Sequence, residues 1–331
     1  MILRRAGIGF LVGAILIAPS VASAAPALVF EPYKGTVLYA EDPDAPWFPA
    51  SLTKLMTAYV TFQALKAGTV SPDTKVVCSQ KARTQAPSKL DLPVGGAITL
   101  DLALKVLIVK SANDVAVMIA ETAAGSEQAF VARMNKAAQN LGMTRSNFTN
   151  VNGLPDERQV TSARDLAKLA RAIIVEFPEH ADLFSSIQVQ VGKKTMRTHN
   201  SLLVSLPGAD GMKTGFICES GFNVVASATR DGRKLVAVVL GEPSVASRND
   251  RATDLLENGF KRYFWKSLFG TRLDGLAIQA SLSDSPTHLR GSVCGVARAK
   301  STVRRSVKSK HGLDARGSDA PASAVSASEA N

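Results

Sequence analysis

Hydrophobic and polar residues along the chain form two patterns, short alternating runs and longer stretches with helical spacing. Runs at 27–31 and 36–40 are separated by Pro-Tyr-Lys-Gly, which predicts a β-hairpin near the start of the chain. Later, 223–230 and 234–240 flank Asp231-Gly232, a two-residue turn typical of a tight hairpin.

Between the two hairpins the pattern is mainly helical. Residues 51–66 are apolar on most sides, which predicts a helix buried in the middle of the protein. Cap residues and apolar spacing predict further helices from Thr99 to 110, at 114–124, at 127–140, at 162–177 after a Thr161 cap, and from Ser247 onward. A strand is also expected at 187–191.

The order of elements is strands, a helical block, strands and a final helix. This order favours an α+β fold, an antiparallel sheet flanked by helices with a helical subdomain, over a repeated βαβ arrangement. With 331 residues, 46% of them hydrophobic and 20% charged, the chain can bury a substantial core.

The N-terminus has the features of a secretory signal. Met-Ile-Leu-Arg-Arg is followed by an apolar run from Ala6 to Ala18 and by Ala-Ser-Ala before Ala25. The run is short for a bilayer span, so cleavage is favoured over a retained membrane anchor. The prediction is a signal peptide at 1–24, a catalytic domain at 25–271 and a tail at 272–331, exported to the periplasm or cell envelope.

The tail contributes +4 of the net charge of +11, with nine Lys or Arg residues against five Asp or Glu. Its Ser- and Ala-rich composition predicts a disordered segment. The tail could touch an anionic membrane or cell-wall surface, or it could simply be solvated. Removal of the residues from Arg290 onward is expected to leave any activity of the preceding domain nearly unchanged. An exported protein is not expected to bind nucleic acid.

Histidine and cysteine are too scarce and too scattered for a recognisable metal site. Four His and three Cys show neither a C-x-x-C nor an H-E-x-x-H pattern, so we expect neither a metal nor a cofactor. Cys78, Cys218 and Cys294 are an odd number, which leaves at least one unpaired within the chain. The sequence does not assign a disulfide.

Candidate chemistry begins with Ser51 and Lys54, an S-x-x-K pattern at the start of the buried helix. Residues three apart on a helix share a face, so the hydroxyl and the amine can meet. A lysine among apolar side chains loses some preference for its charged form and can accept a proton. Taken alone, the pattern also fits a capping Ser beside a surface Lys.

Two further motifs follow in the chain. Ser111 and Asn113 lie at a break between predicted helices, where they can face a cavity or simply cap a helix. Lys213, Thr214 and Gly215 lie near a predicted sheet edge, where a cation and a hydroxyl could bind a carboxylate and Gly would permit close approach. The Gly spacing of a phosphate-binding loop is missing.

With S-x-x-K, S-x-N and K-T-G in this order, the chain resembles the D-alanyl-D-alanine carboxypeptidases, the low-molecular-mass penicillin-binding proteins. The resemblance covers about Ala27 to Leu268. It extends to Asn152-Gly153-Leu154, His199-Asn200-Ser201 and the Phe216 that follows Gly215. The resemblance implies a serine β-lactamase/transpeptidase-like fold and an acyl-enzyme mechanism.

The resemblance also implies a role for each motif residue. Ser51 would be the nucleophile, Lys54 the proton acceptor, Ser111 the relay to the leaving D-alanine, and Asn113 would orient the substrate amide. The terminal carboxylate would be bound by Lys213 and Thr214, and the oxyanion by the backbone N–H groups of Ser51 and Phe216. Arg248 could add to carboxylate recognition or could be an ordinary surface residue of its helix.

The implied substrate is a peptidoglycan stem peptide ending in D-Ala-D-Ala, and β-lactams would be covalent inhibitors. Alternatives are a DD-endopeptidase that cuts cross-links with the same residues, or a non-catalytic peptidoglycan or penicillin binder. A β-lactamase would need a dedicated general-base Glu. The one obvious candidate is Glu157, in the loop after Asn152-Gly153-Leu154, and the residues around it do not match the β-lactamase motif. Family members often continue into a β-domain and an amphipathic anchor, which the residues after 271 do not resemble.

Overall fold

The computed structural model describes residues 25–278 and 285–295, so the predicted signal peptide lies outside the described residues. Five strands form one antiparallel sheet. In spatial order they are β2 (Val37–Glu41), β1 (Ala27–Phe30), β9 (Arg233–Glu242), β8 (Gly221–Arg230) and β7 (Ala209–Ile217). Both predicted hairpins are confirmed, and β7 is an edge strand.

Helices cover both faces of the sheet. Side chains alternate along the strands, so that Val29 and Val224 pack with the helix α9 (Val245–Phe269), while Leu28 and Val225 face the larger core on the other side. On that other side α6 (Ala163–Glu176) lies against β1 and β9. The predicted α+β class, a sheet flanked by helices, is confirmed.

The helical subdomain surrounds α1 (Thr53–Lys66), whose Leu55, Met56 and Phe62 are fully buried, as its apolar pattern predicts. The other helices are α2 (Gln80–Arg83), α3 (Leu100–Val109), α4 (Asn113–Ala124), α5 (Glu127–Asn140), α7 (Ala181–Ser185) and α8 (Leu202–Ser205). Two small ribbons pair β3 (Lys75–Val77) with β4 (Ala97–Thr99), and β5 (Gln188–Val191) with β6 (Lys194–Arg197).

Two predicted helix starts are wrong by one and three residues. Ser162, not Thr161, caps α6, because the backbone of Thr161 is paired with Trp47. Ser244 caps α9 in a capping box: Ser247 N donates to Ser244 Oγ, and Ser247 Oγ accepts from Ser244 N.

Part of the predicted tail packs on the domain. Leu273 is buried, Arg164 Nη1 donates to Leu276 O at 2.6 Å, and Cys294 forms a disulfide with Cys218. The prediction of disorder from residue 272 is therefore wrong for 272–278 and 285–295, because both segments have partners on the domain; 296–331 lies outside the described residues. Cys78 is the unpaired cysteine. Of the helices described, none has both the length and the apolar composition to cross a bilayer.

Candidate active site

Ser51 lies in a tight turn between two close neighbours. A 3-10 turn, Ala50–Leu52, leads into α1 and carries Ala50 in the left-handed region at φ +48°. A Cβ on Gly153 would lie 1.8 Å from Ala50 O, and a Cβ on Gly215 would lie 3.1 Å from Ser51 N. Glycine at both positions therefore allows a loop and the edge strand β7 to approach the nucleophile turn closely.

Lys54 Nζ has three oxygen partners. It lies 3.0 Å from Ser51 Oγ, 2.7 Å from Asn113 Oδ1 and 2.6 Å from Asn152 O. The Asn113 amide is oriented because its Nδ2 donates to Ala86 O at 2.9 Å. Two of the three partners are carbonyl oxygens that only accept, so a neutral amine gives them its two N–H groups. Its lone pair is then left for the hydroxyl proton of Ser51.

The surroundings of Lys54 favour this neutral form. Burial lowers the pKa of Lys54 well below its ordinary value, because the side chain is fully enclosed. The positive charge of Lys213 lowers this pKa further, whereas the carboxylate of Asp114 raises it. Desolvation is the largest of the three influences, so Lys54 is suited to accept a proton from Ser51.

The Ser111-Ala112-Asn113 motif is braced by the neighbouring loop. Ser111 is buried at φ +59° immediately before α4, and Asn113 N donates to Ser88 O at 2.7 Å. The carboxylate of Asp114 accepts from the backbone N–H groups of Leu90 at 3.0 Å and Asp91 at 2.8 Å. The loop thereby fixes the direction in which the Ser111 and Asn113 side chains point.

Lys213 lies behind Ser111 rather than at the surface of the cleft. Its Nζ donates to Ser111 Oγ at 3.0 Å and to Thr214 O at 2.8 Å, and the side chain is only 2% exposed. Burial lowers the pKa of Lys213 to about 7, and the charge of Arg248 acts in the same direction. A group that titrates near neutrality in contact with Ser111 can take part in proton transfer through that hydroxyl.

The motifs meet at one cleft of about 370 Å³. Of the residues that sequence reasoning selected, seven line it: Ser51, Ser111, Asn113, Thr214, Gly215, Phe216 and Arg248. Lys54 and Lys213 lie beneath this lining, each within hydrogen-bond distance of a lining serine. The expected proximity of the three motifs is confirmed, while the catalytic role of each residue stays a prediction.

Arg248 is the cation at the cleft surface, and the alternative of an ordinary surface arginine is wrong. The side chain is 3% exposed and lines the cleft together with Thr214, Gly215 and Phe216 of the edge strand. Its Nε and Nη2 donate to Asn249 Oδ1 at 3.1 and 2.8 Å, and burial lowers the pKa of Arg248 to about 10. With the Thr214 hydroxyl it offers a binding site for a carboxylate.

Two groups in the site have no role predicted from the sequence. The main-chain carbonyl of Asn152 accepts from Lys54, and His199 lines the cleft. Burial lowers the pKa of His199, and the charge of Lys213 lowers it further, so this ring favours its neutral form. Both belong to short motifs that support the family resemblance, which was the only signal for them. Glu157, by contrast, has a side chain 77% exposed and does not line the cleft.

The arrangement fits acyl transfer. A hydroxyl lies beside a lysine whose surroundings favour the neutral amine, and a second serine in contact with a second buried lysine lines the same cleft. Positive charge from Arg248, and from Lys213 when it is protonated, lies beside the reacting centre, which favours an anionic substrate group and a developing oxyanion.

Comparison with known proteins agrees with this chemistry. A family model described as D-alanyl-D-alanine carboxypeptidase matches residues 15–244. The chain is 36% identical over 234 residues to D-alanyl-D-alanine carboxypeptidase DacA of Haemophilus influenzae, covering 69% of this chain and 60% of that protein. The chain is 32% identical over 242 residues to D-alanyl-D-alanine carboxypeptidase DacF of Bacillus subtilis, and this match covers 72% of this chain and 62% of that protein. The chain thus spans about three-fifths of the length of these relatives.

Solved structures show the same likeness. Penicillin binding protein 5 from Haemophilus influenzae superposes with a TM-score of 0.70 at 34% identity, covering 74% of this chain and 73% of that one. Penicillin-binding protein D2 from Listeria monocytogenes, in its cefotaxime-bound form, superposes with a TM-score of 0.64 at 30% identity. This match covers 72% of this chain and 97% of that one.

Proposed function

The chain belongs to the D-alanyl-D-alanine carboxypeptidase family of serine peptidases, and we propose that it removes the terminal D-alanine from peptidoglycan stem peptides through an acyl-enzyme on Ser51. The observation that carries this proposal is the set of partners around Lys54. Of Ser51, Asn113 and Asn152, only the Ser51 hydroxyl can give Lys54 a proton.

The first half of the reaction forms the ester. Ser51 Oγ attacks the carbonyl carbon of the penultimate D-alanine while its proton passes to Lys54 Nζ. The amide C–N bond then breaks, and the terminal D-alanine leaves as an amine that receives a proton through Ser111. The backbone N–H groups of Ser51 and Phe216 are proposed to stabilise the oxyanion, which typically contributes about 3–4 kcal/mol per donor.

The second half consumes water. Lys54, neutral again after the proton has moved on, accepts a proton from a water molecule that attacks the ester carbonyl, and Ser51 Oγ leaves as the restored hydroxyl. In the first half of the reaction, Thr214 and Arg248 hold the substrate carboxylate at the cleft surface, and this carboxylate departs with the terminal D-alanine. Lys213 supports this binding from behind through its charge and its contact with Ser111.

β-Lactams are proposed to react at the same serine. Support comes from the likeness to penicillin-binding proteins, one of which, penicillin-binding protein D2 from Listeria monocytogenes, was solved both with cefotaxime and with ampicillin. We also propose that the protein acts outside the cytoplasm, which the signal-like N-terminus and the Cys218–Cys294 disulfide support. Weak contact of the basic tail with an anionic membrane or cell-wall surface is the remaining proposal; its support is the excess of Lys and Arg.

The first experiment incubates the purified protein with a fluorescent penicillin. We expect covalent label on the unaltered protein and none on Ser51→Ala, with both folded by circular dichroism. Label that persists on the variant would assign the nucleophile elsewhere.

The second experiment separates the alternatives. The protein is incubated with purified cell-wall fragments, and the products are weighed by mass spectrometry. Loss of one alanine from pentapeptide stems supports the carboxypeptidase. Scission of cross-linked dimers would instead identify an endopeptidase, and label without any turnover would identify a binder.

A further inference from the structure

A short segment near the end of the described chain lies against the outside of the cleft walls. We call residues 285–295 the strap. Cys294 of the strap is joined by a disulfide to Cys218, which lies in the turn between β7 and β8. The strap does not line the cleft, and the acyl transfer proposed above uses none of its side chains.

The first wall that the strap contacts is the β7–β8 turn. Leu289 N donates to Glu219 O at 2.8 Å, and Arg290 Nε donates to Glu219 Oε1 at 2.9 Å. A Cβ on Gly221 would lie 3.1 Å from Leu289 Cδ1, so this leucine packs directly on the backbone of the turn. Arg290 Nη2 donates to the same Glu219 Oε1. One covalent bond, three hydrogen bonds and one apolar contact therefore fasten the turn to the strap.

This turn connects two residues that line the cleft. Phe216 precedes it and Phe222 follows it, and their rings stack with centroids 4.2 Å apart. The backbone N–H of Phe216 is the proposed second oxyanion donor. Motion of the turn would therefore move one donor relative to Ser51.

A single strap residue contacts two further walls. The ring of His288 packs edge-on against Phe48, with centroids 5.0 Å apart, and Phe48 lies three residues before Ser51. His288 Nε2 also lies 3.3 Å from Glu157 Oε2, three residues after Leu154, which lines the cleft. The strap thus bridges the nucleophile segment, the loop after Asn152 and the end of the edge strand.

The Glu219 carboxylate makes the turn dependent on the strap. Its side chain is only 12% exposed, and its Oε2 is buried without a hydrogen-bond partner. Arg290 supplies the opposing charge at Oε1. Loss of the strap would leave a largely buried negative charge without this partner, which favours rearrangement of the turn.

We propose that the strap is a positioning element for acylation, an inference that rests on the proposed function. By tying three separate segments together, it holds the Phe216 backbone at the correct distance from Ser51 Oγ. A cross-link between distant residues restricts the conformations of the segments it joins. A small displacement of reacting groups is costly, since a misplacement of about 1 Å can lower a rate about 100-fold.

The test compares Cys218→Ser combined with Cys294→Ser against Cys78→Ser, which removes the buried unpaired thiol. Acylation by a fluorescent penicillin is followed at several concentrations, which separates the acylation rate constant from the half-saturating concentration. Thermal melts show that each protein is folded at the assay temperature. We expect the double variant to lose roughly tenfold or more in the rate constant, with a smaller change in half-saturation, and Cys78→Ser to match the unaltered protein.

A second pair of variants tests the His288 bridge. His288→Ala removes the ring from Phe48, and we expect a slower acylation rate constant. His288→Phe keeps an aromatic edge against Phe48, and we expect it to restore most of the rate. Amide hydrogen exchange at 152–157 and 216–222 should be faster in the double serine variant and in His288→Ala.

The outcomes separate the inference from the function on which it rests. If the unaltered protein takes no label, the proposed function and the strap inference are both wrong. If the unaltered protein and the double serine variant acylate with the same rate constant, only the strap inference fails. A rate constant that falls solely in proportion to the unfolded fraction, or unchanged exchange at 152–157 and 216–222, would also overturn it.

Discussion

At the scale of single residues, the site depends on how a buried lysine is surrounded. Lys54 has two carbonyl acceptors and one hydroxyl within reach, so its hydrogen bonds and its burial favour the same role. The nearby charges of Lys213 and Asp114 have opposite effects on its pKa. Replacing either neighbour should therefore change the pH at which Lys54 becomes neutral, in opposite directions.

This gives a pair of pH profiles with opposite signs. The positive charge of Lys213 lowers the pKa of Lys54, so Lys213→Gln should raise that pKa and move the acidic limb of the acylation profile to higher pH. The negative charge of Asp114 raises the same pKa, so Asp114→Asn should move the limb to lower pH. The acylation rate constant with penicillin, measured from acid to alkaline pH, checks both. If the acidic limb moves in the same direction in both variants, the electrostatic account is wrong.

The sequence predicts residue chemistry well where spacing along one element decides it. Ser51 and Lys54 are three residues apart at the start of one helix, and their contact follows from helix geometry. Asn152 O, the third partner of Lys54, is 98 residues away along the chain. A main-chain carbonyl carries no side-chain signal, so this partner could be found only from the folded structure.

At the scale of elements, the cleft depends on the close approach of one loop to the nucleophile turn. Gly153 has φ +84° and would place a Cβ 1.8 Å from Ala50 O, whereas Gly125, at φ +79°, has no atom within 4 Å of such a Cβ. Alanine at either position bears the cost of a left-handed backbone, about 1–2 kcal/mol. Only Gly153→Ala also pushes the loop away from Ser51.

We therefore expect different outcomes from these two matched variants. Both should lower the free energy of unfolding in urea, with the larger loss in Gly153→Ala. Acylation by penicillin should fall roughly tenfold to 100-fold in Gly153→Ala, because the loop also carries the carbonyl acceptor of Lys54. Gly125→Ala should acylate normally. Similar acylation in the two variants would show that the close approach has no part in the reaction.

Element boundaries show where sequence patterns succeed and fail. Thr99 caps α3 as predicted, and the Asp231-Gly232 turn joins β8 and β9, because each signal is local. The start of α9 is wrong by three residues, since Ser244 and Ser247 are both good caps and only their mutual hydrogen bonds decide between them.

At the scale of the whole molecule, residues beyond the predicted boundary at 271 pack on the domain. Composition predicts disorder there, and composition alone does not reveal that Cys294 reaches Cys218 across 76 residues. Deletion from Arg290 would remove the disulfide together with Arg290. The structure thus gives a reason to expect slower acylation from that deletion, in place of the unchanged turnover that composition suggests.

Net charge supplies the last prediction at this scale. The chain carries +11, Arg248 lines the cleft, and Lys213 contacts the lining Ser111. A peptide that ends in a carboxylate is therefore attracted over a distance, and this attraction is screened by salt. We expect its kcat/KM to fall when ionic strength rises from about 0.01 M to about 0.15 M, where the Debye length shortens from about 30 Å to about 8 Å.

The control is the same peptide with an amidated C-terminus, which lacks the charge that is attracted. Its kcat/KM should be lower throughout and nearly independent of salt. Arg248→Met should weaken the salt dependence of the free peptide, because it removes the cation at the cleft surface while the rest of the surface charge stays. Equal salt dependence for the free and amidated peptides would show that the positive cleft does not attract the substrate through its carboxylate, and would place carboxylate recognition in short-range contacts alone.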